Sequence, residues 1–215
     1  EYVESGATII NMEETSVKKV PVTVYGETTP NPAVMKFVAS RMLTKTPVEC
    51  KNIDETAVSP LAKELFGFRY VKEVFIDENN VSITKYDVAD WSEITNEVRS
   101  FIKTFIEDGK IAVDEEQVVK TVAHEQKQDE YFDNLDVTSQ QIINILEEYV
   151  KPAVQSDGGN IAFESYNDET KLVKVVLQGA CSGCPSSTFT LKNGIENMLR
   201  QMLHNNDIIV EATNA

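Results

Sequence analysis

An acidic stretch, GKIAVDEEQVVKTVAHEQKQDEYFDNLD at residues 109–136, interrupts the chain between two segments that each carry their own apolar periodicity. Acidic residues outnumber lysines there and the apolar ones come in short clusters, so the stretch offers little to a core and is expected to be a linker. A chain divided at that point builds two small cores rather than one large one, and 215 residues suffice for this without staples.

In the first segment Val20, Val22 and Val24 alternate as in a strand. Pro30 and Pro32 then impose an extended loop in TTPNPAVMKFVAS before another strand-like run. SPLAKELFGF reads as a helix, with Ser59 to cap it, Pro60 in its first turn and Gly67 to stop it. VKEVFIDENNVSITKY is two alternating runs about an Asp-Glu-Asn-Asn turn, a hairpin signal. DWSEITNEVRSFIKTFIEDG sets Trp91, Ile94, Val98, Phe101 and Phe105 at helical spacing and closes at Gly109. The order is β-β-α-β-β-α. The second segment opens with Thr138 and Gln141 in capping-box spacing and puts Ile142, Leu146, Tyr149 and Val150 on one helix face. QSDGGN then reverses the chain, its paired glycines permitting left-handed dihedrals, and NIAFESY and KLVKVVLQG alternate as strands about an Asn-Asp turn. A helix bearing Leu191, Ile195, Met198, Leu199 and Met202 and a short strand, DIIVEA, complete the order α-β-β-α-β. The predicted fold class is α+β: two small two-layer α/β-sandwich domains joined by an acidic linker. Residues 1–19 form an N-terminal tail, 20–109 the first domain, 110–136 the linker and 137–215 the second domain.

The formal net charge of −15 repels phosphate backbones and anionic lipid, and no basic patch offsets it, so neither nucleic acid nor a membrane surface is an expected partner. No apolar run approaches the roughly 20 residues of a membrane span, and no basic-then-apolar leader opens the chain. The first residue is Glu1 rather than methionine, which leaves room for a leader removed from a longer precursor. Three cysteines are too few and too odd in number for a secreted disulfide framework. Free thiols in a reducing compartment are expected, available for metal or thiol chemistry.

Two of the three lie in GACSGCPSS, as Cys181 and Cys184, between a strand and the start of a helix. Unpaired N–H groups and the positive helix end favour thiolate there, so both pKa values are expected to be lowered. Thiolates are what soft metals and iron–sulfur clusters require, and Gly183 gives the loop the flexibility to converge both sulfurs. Closed sites usually take four protein ligands, whereas this domain offers two cysteines and a distant histidine, His204. A symmetric dimer that joins two such loops completes a four-sulfur site. A thioredoxin-type redox pair occupies the same strand-to-helix position, but the segment is short for that fold and lacks a later proline before a strand to face the disulfide. Cys50 reads as a small buried hydrophobe, His204 as a helix-end surface residue, and His124 as a solvated side chain of the linker. SDGGN lacks phosphate-loop spacing and is a turn. Leu191, Ile195, Met198 and Met202 face a core.

The runs EEYVKPAVQSDGGNIAFESY and VVLQGACSGCPSSTFTLKNGIENMLR, with TTPNPAVMKFV, SPLAKELF and VKEVFI, resemble the Nfu branch of the NifU-like proteins, which are iron–sulfur cluster scaffolds and carriers. The resemblance spans most of residues 21–108 and 138–211. It implies that the second domain carries a cluster on its Cys-x-x-Cys, a [4Fe-4S] cluster bridging two subunits, so that the cofactor-binding and metal-ligand roles fall on Cys181 and Cys184. A [2Fe-2S] cluster is the alternative cargo, and zinc the artefact of a site filled without iron. It also implies an upstream cluster-assembly scaffold as donor, apo iron–sulfur proteins as acceptors, a homodimer when loaded, and no enzymatic activity. The first domain, with no known catalytic residues in that family, would assist partner contact or structure. The cysteines of the full-length NifU scaffold and its ferredoxin-like centre are missing, which favours storage and delivery over de novo assembly. The expected location is a bacterial cytoplasm, or a mitochondrial matrix if a transit peptide has been removed; the alternative function is a thioredoxin-like thiol-disulfide oxidoreductase using the same pair.

Overall fold

A computed structural model describes residues 21–122, 135–182 and 185–214. Five strands of the first domain, β1 (Val24–Thr28), β2 (Val34–Ala39), β3 (Val48–Cys50), β4 (Val71–Asp77) and β5 (Asn80–Lys85), form an antiparallel sheet in the order β1-β2-β5-β4-β3. Strand alternation sends Met35, Phe37, Val48, Cys50, Val74, Ile76, Val81 and Ile83 to one face. That face is covered by helices α1 (Pro60–Leu65), α2 (Trp91–Glu107) and α3 (Glu115–Val122), which contribute Leu61, Leu65, Val98, Ile102, Phe105 and Val118 to the same core. The hairpin between β4 and β5 turns through Glu78, whose φ of 51° lies in the left-handed region.

Two features of this domain depart from the expected order. The three-residue strand β3 and the 3-10 turn over Ile53–Val58 were not foreseen, because so short a run carries too few alternations to be distinguished from loop. The expected linker begins later than residue 110: Ala112, Val113 and Val118 are buried in the first core, and α3 is helical. The cause is backbone pairing. Leu61 N–H donates to Ala112 O (3.3 Å), Asp114 N–H to Val58 O (2.8 Å), and the Ser59 hydroxyl to Ala112 O (2.8 Å). Residues 123–134, with His124, lie outside the described residues, as do residues 1–20.

The second domain follows the expected order. Val137–Ile145, Leu146–Val150 and Lys151–Ser156 run on as one helix, α4, with a widened turn in the middle. Pro152 has no N–H to give and its ring collides with the carbonyl four residues earlier, so the helix loosens and Lys151 N–H bonds Leu146 O, five residues back. At the N-terminus the cap is Asp136, whose carboxylate accepts from Ser139 N–H at 2.9 Å. Strands β6 (Gly159–Asn167) and β7 (Leu172–Gly179) pair antiparallel about the Asn167 turn. Helix α5 (Pro185–Met202) then crosses over to β8 (Ile209–Asn214), parallel to β7. Ile142, Leu146, Val154, Ile161, Val175, Leu177, Ile195 and Leu199 fill the space between sheet and helices. The protein thus has the two α+β layered units of the predicted fold class. No helix among the described residues is long and apolar enough to cross a membrane.

Ser59 joins α1 to the segment after α2 and is wholly buried: its oxygen accepts from Ala62 N–H (3.1 Å) while its proton goes to Ala112 O. Ser59→Ala removes a helix cap and one of the two hydrogen bonds to Ala112 O, so it should destabilise the first domain by about 1–2 kcal/mol, read from chemical denaturation.

Candidate metal centre

The cysteine loop leaves the end of β7 and enters α5, which opens on Pro185, a residue suited to a first helical turn. The turn at its start is closed twice, by Ser182 N–H (3.1 Å) and the Ser182 hydroxyl (2.8 Å), both donating to Gly179 O. Thr188, one turn into α5, donates its hydroxyl to Cys181 O at 3.2 Å and ties helix to loop. Cys181 is thereby held at 8% exposure beside the second core, at the wall of a cavity of about 400 Å³ that Ala153, Val154, Asp157, Ala180 and Leu191 also line. Cys184 and Gly183 lie outside the described residues.

The thiol of Cys181 differs from the lowered-pKa expectation: burial pushes it up to about 11, and the Asp157 carboxylate adds to the shift. The helix start explains why. Cys181 stands four residues ahead of Pro185 and belongs to the second core, its sulfur close against Gly159 at the start of β6. It is a neutral thiol at neutral pH, so binding a metal there must release a proton.

The paired glycines of SDGGN serve different ends. Gly158 takes the left-handed turn (φ 80°), as expected. Gly159 does not; a Cβ there would lie 2.7 Å from Cys181 Sγ and 2.8 Å from Gln178 O, so it is the absence of a side chain that makes room for the sulfur.

Sequence reasoning gave the first domain no part in the site, yet it supplies one wall. Pro30 lines the same cavity as Cys181, and Asn31 donates from Nδ2 to Ala180 O at 3.3 Å. The loop carrying them is braced internally: Thr29 donates its hydroxyl to Asn31 O (2.9 Å) and Val34 O (3.1 Å), Asn31 Oδ1 accepts from Ala33 N–H (3.1 Å), and Trp91 Nε1 donates to Pro32 O (3.2 Å). Glu49 Oε1 accepts from Gly179 N–H at 2.8 Å; its other oxygen is buried without a partner, and burial raises its pKa. The signal that could have found this is the TTPNP loop, two prolines around an Asn with no helix or strand to end.

Cys50 lies wholly buried in the first core, with its sulfur 3.5 Å from Glu55 O and its thiol pushed up to about 11 by burial. His204 is exposed just past α5, at φ 51°, far along that helix from the loop. Ile195 is in the second core, Leu191 and Met198 are packed against it, and Met202 is exposed. No group of three or more His, Cys, Asp or Glu side chains that could hold a metal comes together among the described residues.

Two family models match: "Scaffold protein Nfu/NifU N terminal" over residues 24–109 and "NifU-like domain" over residues 142–210. The chain belongs to the Nfu-type, NifU-like family. Among its relatives, NifU-like protein 4, mitochondrial, of Arabidopsis thaliana is 34% identical over 82% of this chain and 61% of its own length. The NFU1 iron-sulfur cluster scaffold homolog, mitochondrial, of Drosophila persimilis is 36% identical over 86% of this chain and 63% of its own. The chain therefore spans about three-fifths of these relatives. The solution NMR structure of a NifU-like protein from Saccharomyces cerevisiae matches at 21% identity with a TM-score of 0.40, over 53% of this chain and 94% of that one.

Within this Nfu-type chain the Gly159–Cys181 contact is open to a direct test. Gly159→Ala forces the sulfur or β6 aside and should cost roughly 1–3 kcal/mol of stability in the second domain. Thermal unfolding that is unchanged in the variant would show that the contact relaxes freely.

Proposed function

We propose that this chain stores an iron–sulfur cluster as cargo and delivers it to apo iron–sulfur proteins, having received it from an upstream assembly scaffold. The observation that carries the reading is the pairing of the two family matches with the position of Cys181, a cysteine held at a cavity wall in a strand-to-helix loop. Cys181 and Cys184 of one copy are the metal ligands, and the same pair from a second copy completes four thiolates around a [4Fe-4S] cluster. A [2Fe-2S] cluster would use the same ligands. The working units are residues 20–109, extended by the packed segment that runs on through α3, and residues 137–215. The protein acts as a carrier rather than a catalyst. The relatives named as mitochondrial support a mitochondrial matrix over a bacterial cytoplasm. A buried, neutral thiol is a poor attacking group, so thiol–disulfide exchange gains no support from the site.

Because each chain brings two thiolates, part of the cluster's binding free energy goes into closing the dimer, and loading depends on protein concentration. Cys181→Ser and Cys184→Ser should each abolish cluster binding while Cys50→Ser leaves it nearly intact, judged by iron and acid-labile sulfide per chain. Equal loss in the Cys50 variant would overturn the ligand assignment. The loaded species should have the solution mass of a dimer and should activate an apo [4Fe-4S] enzyme with a chelator present. A loaded monomer, or transfer abolished by the chelator, would rule out a direct carrier with a shared cluster.

A further inference from the structure

The first sheet has two faces, and only one is covered by its own helices. Alternation assigns Glu27, Lys36, Ser82, Phe75 and Glu49 to the other, where a polar pattern reads as solvent-facing. These five residues are one cross-strand row, one from each strand, with pairings Glu27 to Lys36, Lys36 to Ser82, Ser82 to Phe75 and Phe75 to Glu49. Yet Lys36 is 7% exposed and Ser82 3%. What buries them is the second domain. Lys36 Nζ, also paired to Glu27 at 2.6 Å, donates to Ser156 O (2.6 Å), and the Ser82 hydroxyl donates to Gly158 O (2.7 Å). The Phe75 ring lies against Gly179, where a Cβ would come within 2.6 Å of it, and Glu49 takes the Gly179 N–H. Asp77, one row over and also buried, accepts from Gln155 Nε2 at 2.9 Å.

Every one of these contacts falls on residues 155–158 or on Gly179, the two turns that flank Cys181. Asn31 adds the bond to Ala180 O, and Pro30 stands across the cavity on which Cys181 opens. Lys36, Ser82 and Asn31 are directed at backbone carbonyls of the turns, and Glu49 at a backbone N–H, so the grip depends on the shape of the loop stem and is made only when the two domains are closed. We propose that this row, with Pro30 and Asn31, is a latch that closes the first domain over the cysteine loop of the cluster-free chain, and that loading requires the latch to lift. This rests on the reading of Cys181 as a cluster ligand: a cluster shared by two copies needs the cavity wall at Cys181 to be free, and Pro30 lines that same cavity. The latch gives the first domain a function of its own, setting when Cys181 can be reached.

Asn31→Asp is the cleanest probe. Aspartate keeps the oxygen that accepts from Ala33 N–H, but sets an acceptor against Ala180 O in place of a donor. Alkylation of Cys181 in the cluster-free full chain, followed by peptide mass spectrometry, should be faster in the variant by about tenfold, the equivalent of one lost interface hydrogen bond made repulsive. The added negative charge alone would slow thiolate formation, so a faster rate reports opening. Cys50, buried in the first core, is the control: its rate should not change. The double variant Glu49→Lys, Ser82→Arg, whose side chains point away from that core, should give the same result more strongly. Iron and sulfide uptake should quicken by a similar factor. A Cys181 rate equal to that of the unmodified chain, or Cys50 accelerating in step with it, would overturn the latch. Faster alkylation with unchanged uptake would overturn its control of loading. If neither chain takes up iron, the cluster reading itself falls and the alkylation contrast still decides whether the domains are latched.

Discussion

A loop that carries thiols between a strand and a helix has backbone groups that neither element satisfies, and buried polar groups without partners are costly. Here part of that need, and part of that of the α4–β6 turn beside it, is met from the first domain. The carbonyls of Ser156, Gly158 and Ala180 and the N–H of Gly179 are met by Lys36, Ser82, Asn31 and Glu49. Those bonds brace the turns beside Cys181 and bury Lys36 and Ser82 on the outer face of the first sheet. The first domain is therefore structurally part of the site while contributing no sulfur among the described residues.

The interface is polar for a physical reason. Hydrogen bonds to backbone groups exchange with water at a small net cost, about 1 kcal/mol each. A contact built this way can close and open within the range that binding a ligand supplies. Glu49 shows the strain of the arrangement: one oxygen is used, the other is buried without a partner, and its charge is disfavoured by burial. A lone unsatisfied carboxylate oxygen is tolerable in a closed state that is meant to be left.

Burial of Cys181 also bears on cargo. A neutral, desolvated thiol holds its proton and resists oxidation and exchange, which protects the site while it is empty. A metal must displace that proton, so affinity rises with pH and is moderated at neutral pH.

Local pattern was enough for much of this. Ser59 before Pro60, Asp77 to Asn80 as a hairpin turn, the periodic run from Trp91, and the Cys-x-x-Cys between strand and helix are all short-range signals, because caps, turns and amphipathic faces are decided within a few residues of themselves. The α+β class and the candidate cysteines were legible on that basis. Three things were not. The three-residue β3 and the packing of the segment through Ala112, Val113 and Val118 depend on partners 24 to 56 residues away along the chain. The raised pKa of Cys181 depends on what surrounds it, not on its distance along the chain from a helix. The fate of Lys36, Ser82 and Glu49 is the plainest case: period-2 alternation says which face a residue is on, but not what covers that face. Only the packing of one domain on another decided that Lys36 and Ser82 of this polar row are buried, and only the packing within the second domain that Gly159, read as part of a turn, is also the space for a sulfur.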